Sequence, residues 1–596
     1  MFKKISFILL GILFSQGVLK SQTSEHTDSL AYKLGFSTYL SHTDRFASGF
    51  DIYTDDEGYT YISGNTRDKN FPTTEGAYQT ELKGEGLADV FVAKFTPKGE
   101  IVFATLLGGT KREHHTAITL DEQGYIYVAG GTESSDFPVT MGVYDTSFNG
   151  EGQWAGDVFI TKLNPTGTDI IFSTFLGGAL EETVTGGCLK LDSKGNIIIG
   201  GVTLSKNFPL TTGTIEKEKN WHGFLSKMSP DGKELLFSRY FGSSAMEMVL
   251  GLDVDDNDNI YITGSTRTDS LMVTANAIRK KLIEPENGSR IDHYIAKIDE
   301  TGNNILYFSY FAANGYQSSN LEWTKPNRLI VSGSTKEEGF PVTDNALSKK
   351  GNGHQDCFIS VFNSVDMTLE YSTLFGGTEA EKVMSVNFLN KDTIVIGGTT
   401  NSVDFPLTES ALYSEYPSCE KTFNSSFFAR KKSFVSIIDI KNSKLLYSTY
   451  LGSCFLFNIS SDKSGNISFV SESGQRAEAG NTGFPITRNA IMEPPTITIV
   501  GQLAIADYID NATLERYTGK YQLREGFIIT ITKEGRQMKA QFRNRDPFDI
   551  FPDSKNVFYP KVGETQFTFN IDSNEKKDSL IILSGGKEYV CPKLED

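Results

Sequence analysis

The chain carries a sevenfold internal repeat, and this repeat limits the folds open to it more than any other feature. A strand-like run such as residues 124–132 ends in Thr, and an extended Phe-Pro step such as residues 136–140 follows it. The small residue that ends the run recurs about every 67 residues. It occupies these positions: Thr66, Thr132, Thr203, Thr266, Thr335, Thr400 and Ser473. Such a period predicts an architecture built from copies of one supersecondary unit.

Each repeat contains four strand-like runs, which we name a, b, c and d. In the second repeat they cover residues 116–120, 125–130, 157–162 and 169–176. The runs are rich in β-branched and aromatic residues with Gly and Pro between them, which excludes a helical solenoid. Four short antiparallel strands repeated seven times predict an all-β fold, a seven-bladed β-propeller.

The two ends of the repeat region predict how the ring closes. The chain opens with a d-type run over residues 31–40, whereas the last repeat has runs a, b and c but no d. We therefore expect the N-terminal strand to complete the last blade. Closure of this kind leaves no open sheet edge at which chains could aggregate.

Three motifs carry a resemblance to a known repeat. They are the Thr-x4-Phe-Pro-x-Thr step, the Asp-x-Phe-Val-x-Lys run at residues 89–94, and the Ser-Thr-Phe-Leu-Gly-Gly end at residues 173–178. Together they resemble the bacterial seven-bladed propeller repeats called SBBP, over residues 31–503. The resemblance implies the fold but no activity, because propellers serve as enzymes, binders and scaffolds alike.

Residues 504–596 depart from the repeat and predict a small β-rich domain. We expect a short helix over residues 504–514, followed by strands at 526–532, 537–543, 566–571 and 579–584. The Gly-x-Tyr opening at Gly519 and the Phe551-Pro552 step resemble the small all-β domain that follows serine-β-lactamase-like hydrolase domains in bacteria. Because no hydrolase sequence accompanies it here, the resemblance implies no catalysis.

The first residues predict export. Lys3 and Lys4 precede an apolar run over residues 5–14, and small and polar residues follow, as in a secretory signal peptide covering residues 1–22. The run is too short to span a membrane, and no cysteine near the cleavage site supports a lipid anchor. We expect a protein of the periplasm, the cell surface or the medium.

The charge balance narrows the range of partners. Lys and Arg number 57 against 74 Asp and Glu, a net charge of −17, which argues against nucleic acid and anionic membrane surfaces. No later segment is apolar over a length that would span a membrane. A protein or a glycan remains as the class of ligand that this charge balance allows.

Acidic residues are predicted to converge on one face of the disc. Strands a and c run in the same direction, so the d–a and b–c loops share an end of the propeller, which we name the loop face. At the starts of strands a and c stand Glu113, Glu182, Glu247, Glu381, Asp89, Asp157, Asp292 and Asp356, with His222 in the equivalent place of the third repeat. Such a face could bind a divalent cation or a cationic ligand, although no other cofactor is expected. Alternatively, each carboxylate accepts backbone N–H bonds within its own loop.

Histidine and tryptophan leave two further alternatives open. His115 enters a strand a, and His222 and His293 stand at the entries of two different strands c. A lyase or hydrolase could gather these imidazoles with the carboxylates. No spacing among them matches a metal motif. Trp154, Trp221 and Trp323 could stack on sugar rings or fill gaps between blades.

Two functional hypotheses follow. The first is a non-enzymatic binding module of the cell envelope, with a protein or glycan ligand on the loop face. The second is a lyase or hydrolase acting on polysaccharide or peptide. The second requires that His115, His222 and His293 share one site with the carboxylates of Glu113 or Glu247.

Overall fold

The structure of the protein is a computed structural model. It describes residues 31–41, 51–84, 86–150, 156–213, 220–241, 246–282, 291–313, 319–337, 339–414, 432–452, 454–473, 498–506, 511–534, 537–543, 545–560, 565–570 and 578–594. The predicted signal peptide lies outside these residues.

Twenty-eight strands build the repeat region as described. The first fourteen are β1 Ala31–Ser41, β2 Asp51–Thr54, β3 Thr60–Thr66, β4 Asp89–Phe95, β5 Ile101–Leu107, β6 Glu113–Leu120, β7 Ile126–Thr132, β8 Asp157–Leu163, β9 Ile170–Leu176, β10 Glu182–Leu191, β11 Ile197–Thr203, β12 His222–Met228, β13 Leu235–Phe241 and β14 Glu247–Val254. The next fourteen are β15 Ile260–Thr266, β16 Asp292–Ile298, β17 Ile305–Ala313, β18 Ser319–Thr324, β19 Arg328–Thr335, β20 Asp356–Asn363, β21 Leu369–Phe375, β22 Glu381–Asn390, β23 Thr393–Thr400, β24 Lys432–Asp439, β25 Lys444–Gly452, β26 Cys454–Ser461, β27 Ile467–Ser473 and β28 Thr498–Ala506.

These strands form seven four-stranded antiparallel sheets. Six sheets take consecutive strands, from β2–β5 to β22–β25, and the seventh has the order β1-β28-β27-β26. Strand β1 pairs with β28, with Leu34 opposite Leu503 and Thr38 opposite Val500. The predicted seven-bladed propeller and its closure by the N-terminal strand are therefore confirmed.

Strand c of each blade lies in the apolar core between neighbouring blades. Every residue of β12 and β16 is buried, in keeping with strands that are covered on both faces. Between blades 1 and 2, for example, Val90 and Val92 pack in one cluster with Ile126, Val128 and Phe159. The core of the propeller is thus a series of interfaces between sheets.

The Phe-Pro-x-Thr step covers the outer edge of its own blade. In blade 1 the Phe71 ring packs 4.9 Å from that of Phe91. The Thr74 amide donates to the Ala104 carbonyl at 3.0 Å, and Thr74 Oγ1 accepts from the Ala104 amide at 3.1 Å. In blade 4, which lacks the Phe-Pro pair, Thr274 still donates to the Phe308 carbonyl at 3.1 Å. The threonine therefore satisfies backbone groups that an edge strand would otherwise expose.

The C-terminal region forms a separate eight-stranded sheet. After the helix α1 Asn511–Tyr517 come β29 Gly519–Arg524, β30 Phe527–Glu534, β31 Gln537–Phe542, β32 Phe548–Ser554, β33 Val557–Pro560, β34 Gln566–Asn570, β35 Ser579–Ser584 and β36 Lys587–Pro592. The strands pair in chain order, and Lys593 forms a bridge with Tyr521 at the start of the sheet. The sheet therefore closes on itself around a core of buried side chains that includes Tyr521, Phe558, Phe567 and Phe569.

The prediction of a helix over residues 504–514 was wrong at its start. Strand β28 continues to Ala506, which lies opposite Ala31 of the closing strand, and the helix begins at Asn511. Pairing with β1 overrides the helical preference of the Ala-rich sequence. Within the described part of the chain, no helix has the length and apolar character needed to cross a membrane.

Deletion of the closing strand tests its role. We expect a chain lacking residues 1–41 to unfold at a lower temperature and to associate, because the edge of β28 loses its partner. A chain lacking only residues 1–30 retains β1 and serves as the matched control. Thermal unfolding followed by circular dichroism and size-exclusion chromatography measure both effects. Equal unfolding temperatures for the two chains would contradict closure by β1.

Candidate functional site

The predicted acidic residues of strand a lie at the junctions between blades. Glu113, Glu182 and Glu381 are buried. Each accepts a hydrogen bond from the threonine that ends strand b of the same blade. The bonds are Thr132 Oγ1 to Glu113 Oε1 at 2.8 Å, Thr203 Oγ1 to Glu182 Oε1 at 2.6 Å and Thr400 Oγ1 to Glu381 Oε1 at 2.6 Å. The repeated threonine thus fixes the repeated glutamate.

The predicted aspartates of strand c are buried at the same junctions. Asp89, Asp157, Asp292 and Asp356 have at most 5% of their surface exposed. Three of them accept backbone amides from the preceding loop. These bonds are Lys83 N to Asp89 Oδ2 at 3.0 Å, Asn149 N to Asp157 Oδ2 at 2.8 Å and Asn352 N to Asp356 Oδ1 at 3.3 Å. The carboxylates therefore order their own loops, as in the alternative considered from the sequence.

The aspartate of one blade faces the glutamate of the next across a glycine. A Cβ atom added at Gly108 would lie 2.6 Å from Asp89 Cγ and 2.7 Å from Glu113 Oε2, so no larger residue fits without a shift. Burial, with a further contribution from Asp89, raises the pKa of Glu113 to about 8. Burial and then Glu182 raise the pKa of Asp157 to about 7. Near neutral pH, Glu113 is therefore largely protonated and Asp157 is partly protonated.

The predicted histidines lie at separate places. His222 Nδ1 is 3.9 Å from Glu247 Oε2 at the junction of blades 3 and 4, and both side chains are fully buried. His293 is buried with its ring 5.7 Å from that of Phe358, and burial lowers its pKa to about 4. His115 Nδ1 lies 2.8 Å from His114 Nδ1 in blade 2.

This distribution bears on both functional hypotheses. Among the described residues, no three His, Cys, Asp or Glu side chains come together as ligands for a metal ion. The shared site that the lyase or hydrolase hypothesis requires is not formed by His115, His222 and His293. Ligand binding by the acidic residues of the loop face stays a prediction.

The structure brings a different set of residues together along the propeller axis. The inner strands β2, β6, β10, β14, β18, β22 and β26 surround a cavity of about 720 Å³. At the loop face, where these strands begin, large apolar side chains line it together with polar residues such as Thr183 and Thr185. We name as the channel mouth the group Trp221, Met246, Met248, Leu250, Met384, Phe457 and His115. Trp221 thus lines the channel.

Toward the other end of the cavity, each blade contributes one residue at the same register of strand a. Asp253, for example, lies opposite Tyr261, the second residue of strand b in blade 4. Lys190 lies opposite Ile198, the second residue of strand b in blade 3. We name this set the polar belt: Tyr53, Thr119, Lys190, Asp253, Glu322, Asn387 and Ser460. Six of the seven line the cavity directly.

Charged groups are concentrated in one part of the belt. Lys190 Nζ lies 3.5 Å from Asp253 Oδ1. The Lys190 side chain has 35% of its surface accessible, and this residue lines the channel. Burial lowers the pKa of Lys190, but Asp253, Glu322 and Asp51 outweigh it and raise that pKa overall. Burial and then Asp253 raise the pKa of Glu322 to about 8. Acidic groups therefore outnumber the single ammonium group of this region.

The two carboxylates of the belt, and that of Asp51 close to it, also connect neighbouring inner strands. Asp51 Oδ2 accepts from the Ile118 amide at 2.9 Å, and Asp253 Oδ2 accepts from the Trp323 amide at 2.7 Å. Glu322 Oε2 accepts from the Phe388 amide at 2.6 Å. These bonds hold the carboxylates in fixed positions around the channel.

Reasoning from the sequence missed the polar belt. Its signal is a polar residue between two apolar residues near the end of strand a, as in Leu189-Lys190-Leu191, Leu252-Asp253-Val254 and Leu321-Glu322-Trp323. The seven belt residues differ in type, so alignment of identical residues does not reveal them. Alignment of strand a by its apolar neighbours would have found five of them, since Thr54 follows Tyr53 and Ser461 follows Ser460.

The raised pKa of Glu113 predicts a pH dependence of stability. Glu113 is protonated in both states well below its ordinary value of 4.5, and in the folded state it keeps its proton up to about pH 8. The folded state is therefore destabilised as pH rises between these values. We expect Glu113→Gln, which cannot ionise, to raise the unfolding temperature at pH 9 by roughly 2–6 °C relative to the unsubstituted protein.

Calorimetric scans at pH 5 and pH 9 measure this effect, and the difference should be small at pH 5. The exposed turn residue Glu122 offers the control Glu122→Gln, for which we expect no pH-dependent change. A loss of stability at pH 9 in Glu113→Gln would show that the ionised carboxylate stabilises the junction.

The glycine between the paired carboxyls gives a second prediction. We expect Gly108→Ala to lower the free energy of unfolding by about 2 kcal/mol, because the new methyl group displaces Asp89 and Glu113. Gly186→Ala is the control, since a Cβ at Gly186 meets no atom within 4 Å. Denaturant unfolding of the two variants compares them, and equal free energies would contradict the tight junction.

Comparisons with known proteins agree in part with this description. Residues 504–588 match a family model described as a domain of unknown function, DUF3471. The regulatory protein FlaEY of Caulobacter vibrioides is 22% identical over 339 residues, which are 55% of this chain and 34% of that protein. The chain thus covers about a third of the length of this relative.

Solved structures similar to the chain include WD40 propellers. The WD40 β-propeller domain of Doa1 is 10% identical with a TM-score of 0.38, over 80% of this chain and 97% of that one. The RRP9 WD40 repeats are 9% identical with a TM-score of 0.41, over 80% of this chain and 100% of that one. These structures are similar to the chain at the level of fold alone.

Proposed function

We propose that the protein is a non-enzymatic binding module whose ligand is a segment of another protein that enters the channel mouth. The propeller fold is consistent with a protein-interaction module. The observation that carries the proposal is the group of apolar side chains at the mouth of a cavity of about 720 Å³. The low-identity relative carries the name of a regulatory protein, which agrees with a role in binding.

The chemistry of the mouth favours protein over glycan as the ligand. Met246, Met248 and Met384 have flexible, polarisable side chains that adapt to apolar side chains of a partner. Trp221 and Phe457 add large aromatic surfaces, which are frequent anchors of protein interfaces.

The proposal includes the setting of the protein. We place it at the bacterial cell envelope or outside the cell, after removal of residues 1–22. Its propeller, residues 31–503, would be of the SBBP type, and residues 504–596 would be an attached domain of the kind that follows serine-β-lactamase-like hydrolases. The sequence motifs described above support these assignments. The lyase or hydrolase alternative has less support, because the described residues His115, His222 and His293 lie at separate places.

Peptide display with matched variants tests the binding site. Peptides selected from a random library against residues 23–596 should bind at least about tenfold more weakly to Met248→Glu, because a charge replaces apolar surface at the mouth. Met141 is 94% exposed in a b–c loop, so Met141→Glu introduces the same charge outside the channel and should not change binding. Fluorescence polarisation gives the dissociation constants.

Two results would count against the proposal. If the selected peptides bind Met248→Glu as tightly as the unsubstituted protein, the site lies elsewhere. If oligosaccharides bind at the mouth and no peptide does, the ligand is a glycan. Circular dichroism of both variants checks that each is folded.

A further inference from the structure

We propose that the polar belt binds a cationic group, an ammonium or a guanidinium, carried by the ligand that enters through the channel mouth. A protein ligand would supply the cationic group as a lysine or arginine side chain, and this part of the inference rests on the proposed function. The cation site itself rests on the cavity alone. Residues of the mouth and of the belt line one and the same cavity, so a ligand can contact both.

The balance of charge in the cavity favours a cation. Lys190 is the single Lys or Arg among the residues described as lining it, whereas Asp51 and Glu322 both line it. Asp253, which pairs with Lys190 at 3.5 Å, adds a third carboxyl group. Three carboxyl groups therefore surround one ammonium group that already has a partner. Because Glu322 is largely protonated at pH 7, a cation that arrives would be matched by ionisation of this carboxyl group, whereas an anion would meet no group that could compensate its charge.

The uncharged groups of the belt also require a donor. Asn387 Nδ2 donates to the Val386 carbonyl at 2.7 Å, and Asn387 Oδ1 is buried without a hydrogen-bond partner. A buried acceptor without a partner is destabilising until a donor reaches it. Asn387 lies in the strand next to that of Glu322, so one ammonium or guanidinium group could donate to both side chains.

The carboxylates are already fixed in place by the backbone. Asp51, Asp253 and Glu322 each accept an amide from the inner strand of the next blade. These bonds would need no rearrangement when a cation arrives. Glu322 both accepts the Phe388 amide and can ionise, and one substitution separates these two roles. A glutamine at this position keeps an acceptor for the Phe388 amide and loses only the ability to ionise.

A bound cation should displace a proton from Glu322. Asp253 on the neighbouring inner strand and Lys190 both act on the Glu322 side chain, and Asn387 bonds to it. The pKa of Glu322, about 8, leaves it largely protonated at pH 7. A cation nearby favours the ionised form. Binding at pH 7 should therefore release a proton, and affinity should rise as pH rises through about 8.

Three six-carbon compounds test the charge preference with chain length held constant. The probes are hexylammonium, hexan-1-ol and hexanoate, with binding to residues 23–596 measured by isothermal titration calorimetry. We expect hexylammonium to bind, with its alkyl chain at the mouth and its ammonium at the belt. Hexan-1-ol and hexanoate should bind at least about tenfold more weakly, since a hydrogen bond to a charged group is lost.

Variants connect the binding to the belt. Glu322→Gln should weaken hexylammonium binding about tenfold and abolish proton release, which is measured by titrations in two buffers of different ionisation enthalpy. The exposed control Glu122→Gln should change neither. Circular dichroism and the unfolding temperature check that Glu322→Gln is folded. If the role of Glu322 were only structural, the substitution would leave the proton release unchanged.

The outcomes separate this inference from the proposed function. Equal binding of the three probes, no binding of hexylammonium, or unchanged binding in Glu322→Gln would each overturn the cation site. If peptides require Met248 but neither a basic residue nor Glu322, the protein-binding proposal stands and the cation site fails. If hexylammonium binds as expected and no peptide does, the cation site stands without a protein ligand.

Discussion

The antiparallel pairing of β1 with β28 joins the two ends of the propeller, and the central cavity depends on it. Leu34 lies opposite Leu503, so the first described strand completes a sheet made near the end of the repeat region. The same closure brings the inner strands of blades 1 and 7 together. Asn458 Nδ2 donates to Asp51 Oδ1 at 2.6 Å, and the Thr54 amide donates to Ser460 Oγ at 2.9 Å. An open ring would lack this side of the channel.

The fold could be predicted from the sequence because its determinants are local and repeated. The threonine that ends strand b fixes a glutamate, and the Thr of the Phe-Pro step binds the edge of strand d, so identical residues recur at identical places. The helix after the propeller was harder to place, because the strand over Ala504 to Ala506 depends on pairing with a strand more than 450 residues earlier. Local preference carries no information about such a partner.

The candidate site was less predictable for a related reason. The recurring carboxylates were predicted from the sequence at the starts of strands a and c, and they accept hydrogen bonds within the blade junctions, which accounts for their recurrence. Ligand binding by them stays a prediction. Residues that could distinguish a ligand, such as Lys190, Glu322 and Asn387, differ from blade to blade and meet only when seven strands form a ring. Trp221 and Met248 are likewise single residues in the sequence and become a common surface only in three dimensions.

The threonine bonds that cover the outer strands affect how the number of repeats can change during evolution. Thr74 bonds to strand β5 of its own blade, and Thr274 does the same with β17 of blade 4. Each of the first six blades therefore carries the protection of its own edge within one repeat of sequence. Duplication or loss of one of these six repeats would leave the outer strands of the others covered. The number of blades is then limited by the geometry of ring closure and not by the exposure of edges.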